Sequence, residues 1–301
     1  TETRRAGMTG SIAGTIPFPD IGPELFSVEL WGMTFALRWY ALAYIAGILI
    51  GWRMVVALVK RPALWPGGRA PITPAQVEEL LTWVILGIIL GGRLGFVLFY
   101  RPLHYLQNPW EIPMLWQGGM AFHGGLLGVV IAVWIFTGRH GIDRLSAADA
   151  LAIATPPGLL LGRLANFVNA ELWGRPWDGP WAMVFPTDPL QAPRHPSQLY
   201  EAVLEGLVLG ALLLWLALRR HAFHRPGLIA GVFFAGYGTA RFVVEYFRQA
   251  DPQFITPENP MGYVIGAGPV GVTMGQLLSL PMVVLGLALV GWALGRRARP
   301  A

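Results

Sequence analysis

Residues 151–175 read LAIATPPGLLLGRLANFVNAELWGR. Leu151 to Leu161 holds no charged residue, whereas Gly162–Arg175 holds Arg163, Asn166, Asn169, Glu171 and Arg175. With the residues before it, the apolar part makes a span over 147–169, and a helix of about 20 such residues crosses a bilayer core. The span therefore ends in groups that lipid does not solvate. Inside hydrocarbon such groups are expensive, so they are paired, near a helix end, or turned to a polar cavity. Pro156 and Pro157 remove backbone donors and predict a kink, tolerable where neighbours or a cavity satisfy the freed carbonyls.

Six further apolar runs lie at 34–58, 76–100, 118–137, 198–218, 227–247 and 273–294. The whole chain agrees with them: of 301 residues, 54% are hydrophobic and 13% charged, with 13 Trp, outside the usual soluble range. These features predict an all-α polytopic membrane protein of seven transmembrane helices in one integral membrane domain, 1–301. It would comprise an N-terminal segment 1–33, a core 34–294 with longer loops at 170–197 and 248–272, and a tail 295–301. The first residues, TETRRAGMTG, are too poor in apolar side chains for a cleaved signal peptide. Cysteine is absent, which excludes disulfides, thiolate metal sites and a cysteine nucleophile of the chain's own.

Arg and Lys set the orientation, because positive charge stays on the cytoplasmic side. Loops after spans one, three and five, with the C-terminal tail, hold Lys60, Arg61, Arg69, Arg139, Arg144, Arg219, Arg220, Arg225, Arg296, Arg297 and Arg299. The opposite side holds Arg4, Arg5, Arg101, Arg175, Arg194 and Arg248. An extracytoplasmic N-terminus and a cytoplasmic C-terminus follow, with Leu25, Phe26 and Trp31 resting on the membrane interface. Apart from Lys60 every basic residue is Arg, a bias that phosphate recognition and genome base composition explain equally well.

Five arginines fall within the spans: Arg38, Arg53, Arg93, Arg163 and Arg241. Arg53 lies at an inner end and can snorkel. The other four fall in the outer half of the bilayer, as do Tyr40, His123, Asn166, Glu201 and Glu245. That clustering predicts a polar, strongly cationic chamber at outer-leaflet depth.

Within span six, Tyr237, Arg241, Glu245 and Arg248 follow at offsets of four, four and three, which stack on one helical stripe. A carboxylate between two guanidiniums can orient both for an anion, or the stripe can be a structural ion-pair ladder. Arg163 and Asn166 share a face of span four, while Asn169 and Glu171 are expected to be rotated away. The amides either hold the helix end together or bind ligand oxygens. Span three opens GGMAFHGGLLGVV, where Gly124 and Gly128 form a face that lets another helix approach closely. His123 there is either a packing residue or, beside cations, a general base. No serine-hydrolase elbow, zinc-protease helix, P-loop or dinucleotide fingerprint occurs, and no carboxylate cluster suggests a metal.

Four blocks, HGGL from His123, GRLANFVNAELWGR from Gly162, RHPSQLYE from Arg194 and RFVVEYFR from Arg241, resemble the signature blocks of bacterial prolipoprotein diacylglyceryl transferases. LRWYAL around Tyr40 fits that family's first helix, and the resemblance covers roughly residues 28–295. Ala165 and Ala170 stand where the family usually shows Gly, and Ala121 where Ser is common, exchanges expected to tighten helix packing.

The resemblance implies transfer of the diacylglyceryl group of phosphatidylglycerol to the lipobox cysteine of a preprolipoprotein, in the bacterial cytoplasmic (inner) membrane and facing the outer leaflet. Membrane lipids surround such an enzyme, and it needs no cofactor, no metal and no nucleic acid. It further implies catalytic roles for His123, Arg163 and Arg241. Tyr40, Gly124, Gly125, Asn166, Asn169, Glu171, Gly174, Tyr237, Glu245 and Arg248 would then form the substrate site. The alternative is a transporter or flippase for an anionic lipid or organic anion, which would use the same cations without chemistry but calls for a site near the midplane.

Overall fold

We describe residues 15–30, 33–267 and 270–296 of a computed structural model of the protein. The chain is mostly helical, and seven helices follow the seven apolar runs. They are α1 (Trp39–Val59), α2 (Pro74–Phe99), α3 (Phe122–His140), α4 (Arg144–Val168), α5 (Ser197–Arg219), α6 (Leu228–Val244) and α7 (Met274–Gly295). Among the described residues five of them, α1, α2, α4, α5 and α7, are by length and composition long and apolar enough to cross a membrane.

The expectation of an all-α chain is corrected by three antiparallel two-stranded pairs. β1 (Glu24–Leu30) pairs with β2 (Met33–Arg38), β3 (Met183–Val184) with β4 (Pro193–Arg194), and β5 (Tyr263–Ala267) with β6 (Val270–Thr273). The first pair also corrects the start of span one. Residues 33–38 are apolar enough to count as span but pair in register with 24–30, from Leu30↔Met33 to Glu24↔Arg38, so the helix starts only at Trp39. Arg38 is accordingly an exposed strand residue facing Glu24 at 3.7 Å. Leu25 and Phe26 are exposed on β1, while Trp31, residues 1–14 and the tail 297–301 lie outside the described residues.

The described residues form two compact units, one within 1–50, 155–214 and 231–289, the other within 51–154, 215–230 and 290–301. In the second, the helix starts are fixed by side chains. Thr73 and Gln76 close a reciprocal capping box on α2 (Gln76 N to Thr73 Oγ1 3.2 Å, Thr73 N to Gln76 Oε1 2.9 Å), satisfying amides a helix end otherwise leaves bare. Asp143 Oδ1 accepts from Ser146 N at 2.9 Å at the head of α4. Asp149, a fully buried carboxylate, accepts from Gly227 N and Ala230 N at 2.8 Å each. It thereby caps α6 from a different helix, which explains an acid inside an apolar segment.

α2 and α3 pack through glycine. A Cβ on Gly87 would lie 2.6 Å from Gly128 O, and one on Gly95 would lie 2.7 Å from Gly124 Cα, so only hydrogen fits at this seam. Gly124 and Gly128 thus make the close approach expected of them, and Gly124 serves helix packing.

Arg93, at the far end of α2, is buried. Its Nε donates to Ile112 O at 2.7 Å and its Nη2 to Glu111 O at 2.7 Å, while Nη1 reaches Gly118 O and Gly119 O. The guanidinium organises the 111–119 turns through these carbonyls.

Candidate active site

The helix within residues 151–175 ends in a left-handed stop. Ala170 N donates to Phe167 O at 2.8 Å and Glu171 N to Asn166 O at 3.0 Å, the crossed pair of a Schellman turn, whose left-handed position favours Gly. Here that position is Ala170, with φ +53°, and Leu172 follows at φ +58°. This is the physical reason a glycine suits position 170. The alanine methyl instead packs into a cluster with Met183 and Phe185, flanked by Phe18, Phe167 and Trp173.

The turn brings Glu171 back over the helix. Asn166 Nδ2 donates to Glu171 Oε1 at 2.7 Å and Asn169 Nδ2 to the same oxygen at 3.4 Å. Asn169 and Glu171 are therefore not rotated away from Asn166 as the helical wheel suggests, because the chain has left the helix by then. Gln198 Nε2 donates to Glu171 O at 2.6 Å and Ser197 Oγ to Leu172 O at 3.1 Å, tying the turn to the head of α5. The Tyr40 hydroxyl meets that of Tyr44 at 3.2 Å and interacts electrostatically with Glu171 and Asn166.

One turn earlier in α4, Arg163 meets carboxylates from another helix. Arg163 Nε lies 3.1 Å from Glu201 Oε2 and 3.8 Å from Glu205 Oε2. Arg241 Nη1 donates to Glu201 Oε1 at 2.5 Å, and its Nη2 pairs with Glu245. Arg248 Nη1 donates to Glu245 Oε1 at 3.3 Å, and Thr273 Oγ1 donates to Glu245 Oε2 at 2.8 Å. The order Arg163–Glu201–Arg241–Glu245–Arg248 is one continuous chain of ion pairs. Tyr237 interacts electrostatically with Glu205, Arg163 and Arg241, and its ring stacks on Phe233 at 5.9 Å. Glu245 and Arg248 lie beyond Val244, where α6 ends, yet the turn keeps the predicted stripe together.

Glu201 and Glu205 are fully buried, and Glu205 sits in a π-helical stretch, Ala202–Val208, inside α5. Such wide turns mark functional positions in helices disproportionately. The sequence places Glu201 in the chamber without giving it a role, and Glu205 is absent from the expected set. The signal was present as two acids four apart in an otherwise apolar span, each a substantial insertion cost. Their presence corrects the strongly cationic chamber: three arginines face three glutamates, so formal charges cancel. What remains is a set of directed N–H donors on side chains that are 15–20% exposed, those of Arg163, Arg241 and Arg248.

Outside the helices, Arg194 is locked. Its Nε and Nη2 donate to Asp188 at 2.6 and 2.9 Å, Nη1 donates to Gly174 O at 3.2 Å, and the guanidinium lies 3.9 Å over the Trp173 ring. The pair is buried, and although burial opposes the charge, the Arg194 and backbone hydrogen bonds hold the Asp188 carboxyl below its ordinary value. Gly174 pairs with Arg248 in a β-bridge and donates to His195 O at 2.9 Å. A Cβ there would meet Phe247 O at 2.5 Å and His195 Cβ at 2.7 Å. Glycine is thus required where the loop crosses the end of α6. His123 stands exposed in the first turn of α3, and Gly125 in the same turn is buried. Both belong to the other compact unit.

Apolar helices that carry a buried, ion-paired arginine set define a multi-pass membrane protein with a built polar site. Over residues 27–292 the chain matches the family described as prolipoprotein diacylglyceryl transferase. A relative from Ruegeria pomeroyi is 65% identical over 94% of this chain and 98% of its own length. One from Roseobacter denitrificans is 61% identical, covering 93% and 98%, and one from Nitrobacter winogradskyi is 52% identical, covering 95% and 94%. Each of the three bears the name phosphatidylglycerol-prolipoprotein diacylglyceryl transferase. The chain belongs to the prolipoprotein diacylglyceryl transferase family.

Proposed function

We propose that this protein transfers the diacylglyceryl group of phosphatidylglycerol to the lipobox cysteine thiol of a preprolipoprotein, forming a thioether and releasing glycerol phosphate. The observation that carries this reading is Glu201 holding both Arg163 and Arg241. In the reaction a C–S bond forms at the glycerol carbon while the C–O bond to phosphate breaks. The electron pair leaves on the phosphate oxygen, and the thiol proton, with an ordinary pKa of about 8.5, goes to a base.

Arg163 meets its carboxylates at Nε, so its two Nη groups are the donors for the departing phosphate, with Arg241 beside it. Preoriented donors of this kind act most strongly where water is scarce. Asn166, Asn169 and Glu171 hold the headgroup wall, with Tyr40 and Tyr237 lining it. Glu245 and Arg248 fix Arg241, and Gly174 and Gly125 let backbone approach. His123 takes the thiol proton. The seven helices span the inner membrane with the N-terminus outside, and the site opens to the outer leaflet.

Purified protein reconstituted with phosphatidylglycerol and a lipobox peptide should yield glycerol phosphate and a peptide heavier by one diacylglyceryl group. Lipid movement without product would instead identify a transporter. Near-normal turnover of His123→Gln would remove that residue as the base and favour a thiolate activated by arginine.

A further inference from the structure

A cavity of about 620 Å3 lies in the second compact unit, and Leu216, Arg220, His221, His224, Arg225 and Leu294 line much of it. Its volume falls within the roughly 300–1,000 Å3 of ordinary ligand sites. The loop that frames it, residues 219–225, reads RRHAFHR, with three arginines, two histidines and no acid.

Two of the arginines have defined contacts. Arg225 Nη1 donates to Leu294 O at 2.9 Å, pinning the end of α7. The guanidinium of Arg220 lies 4.9 Å over the Trp215 ring. Neither arginine has a carboxylate partner among the described residues. His221 takes a left-handed backbone, φ +50°, and its ring stands edge-on to that of His224 at 5.8 Å. Below, Trp65 stacks on Phe223 at 3.9 Å, giving the loop a rigid floor.

We infer that this cavity binds the phosphate headgroup of an anionic membrane phospholipid. Charge retention at the ends of membrane helices explains how many arginines there are, but it requires no cavity. Apolar surface decides between a lipid and a soluble anion. Leu216 and Leu294 form part of the wall; Leu294 and, close by in sequence, Trp215, Leu218 and Trp292 are 36–53% exposed, the tryptophans as expected of residues at headgroup level. A free phosphate gains nothing from that belt, whereas acyl chains continue along it. Basic pockets at the ends of membrane helices take anionic headgroups in this way.

The proposal stands apart from the transferase reading and is tested separately. The full chain is reconstituted in phosphatidylcholine vesicles containing photoactivatable phosphatidic acid, an anionic lipid without the glycerol headgroup. Crosslinks are mapped by mass spectrometry. They should concentrate on 215–228 and 290–296, and Arg220→Gln should lower them about fivefold, the factor that one basic residue contributes at an anionic surface. His221→Gln provides a second variant should Arg220→Gln fail to fold, and transferase turnover should be unchanged in both. Equal labelling by photoactivatable phosphatidylcholine, or labelling unchanged in both variants, overturns the site. Should inorganic phosphate in lipid-free micelles protect residues 219–228 from hydrogen exchange as well as short-chain phosphatidic acid does, the ligand is a soluble anion and the lipid assignment fails.

Discussion

Arg241 Nη1 donates to Glu201 Oε1 at 2.5 Å, fastening α6 to α5. The other oxygen of Glu201 faces Arg163 of α4 at 3.1 Å, so one carboxylate aims two guanidiniums. Glu201→Ala should lower transferase turnover about 10²–10³-fold, the loss typical of removing one oriented charge-stabilising group. Glu201→Gln, which keeps the shape and one acceptor, should retain more. Product formation at saturating lipid measures both, and equal losses in the two variants would show that shape, not charge, matters here. Removing one partner of a buried pair also costs stability, about 3–5 kcal/mol, so melting of each variant should be recorded alongside.

Asp188 gives the protein an acid-sensitive lock. Its carboxyl is held below the ordinary value, so the ion pair with Arg194 contributes stability that is fully present above the unfolded value of about 3.9. That contribution fades as pH falls through the folded value. The melting temperature of the wild type should therefore fall more steeply below about pH 4 than that of Asp188→Asn, which has already lost the charge. At neutral pH the variant should be the less stable of the two. Parallel acid limbs would refute this.

At Ala170 two effects oppose each other. A left-handed alanine costs roughly 1–2 kcal/mol, while its buried methyl contributes about 0.8 kcal/mol and Gly adds about 0.5–1 kcal/mol of chain entropy to lose. Ala170→Gly should thus be neutral within about 1 kcal/mol on these figures. Ala170→Val, a branched residue at positive φ in a packed cluster, should destabilise by more than about 2 kcal/mol. Thermal unfolding in micelles ranks the three, and Val behaving like Ala would contradict the turn geometry.

Asp149→Ala should cost about 1–3 kcal/mol, because two buried amides of the α6 head lose their acceptor. Asp149→Asn retains one acceptor oxygen and should cost less. Hydrogen exchange at Gly227 and Ala230 gives the local readout: faster exchange at those amides is expected, with the α2–α3 pair unaffected.

The helices were legible because length and hydropathy suffice for them. The span expected at 147–169 is the helix 144–168, and 198–218 is 197–219. Hydropathy misled at 34–38, where an apolar run of strand length is indistinguishable from the start of a helix. The stripe Arg241–Glu245–Arg248 was readable from spacing, since all three lie on one stretch of chain. Glu201 as its centre was not, because spacing along one helix says nothing of which acid a neighbouring helix presents. The partners of Arg93 were equally illegible: they are carbonyls of a loop folded around it, and carbonyls leave no mark in a sequence.

The glycine seam between α2 and α3 has a consequence for biosynthesis. Gly87, Gly91 and Gly95 meet Gly124 and Gly128 within one helical hairpin, whose contacts are complete once the ribosome has passed residue 140. Lipid drives helices together weakly, so close backbone fit supplies much of the attraction. This hairpin can therefore zip shut while the remaining four helices are still being made.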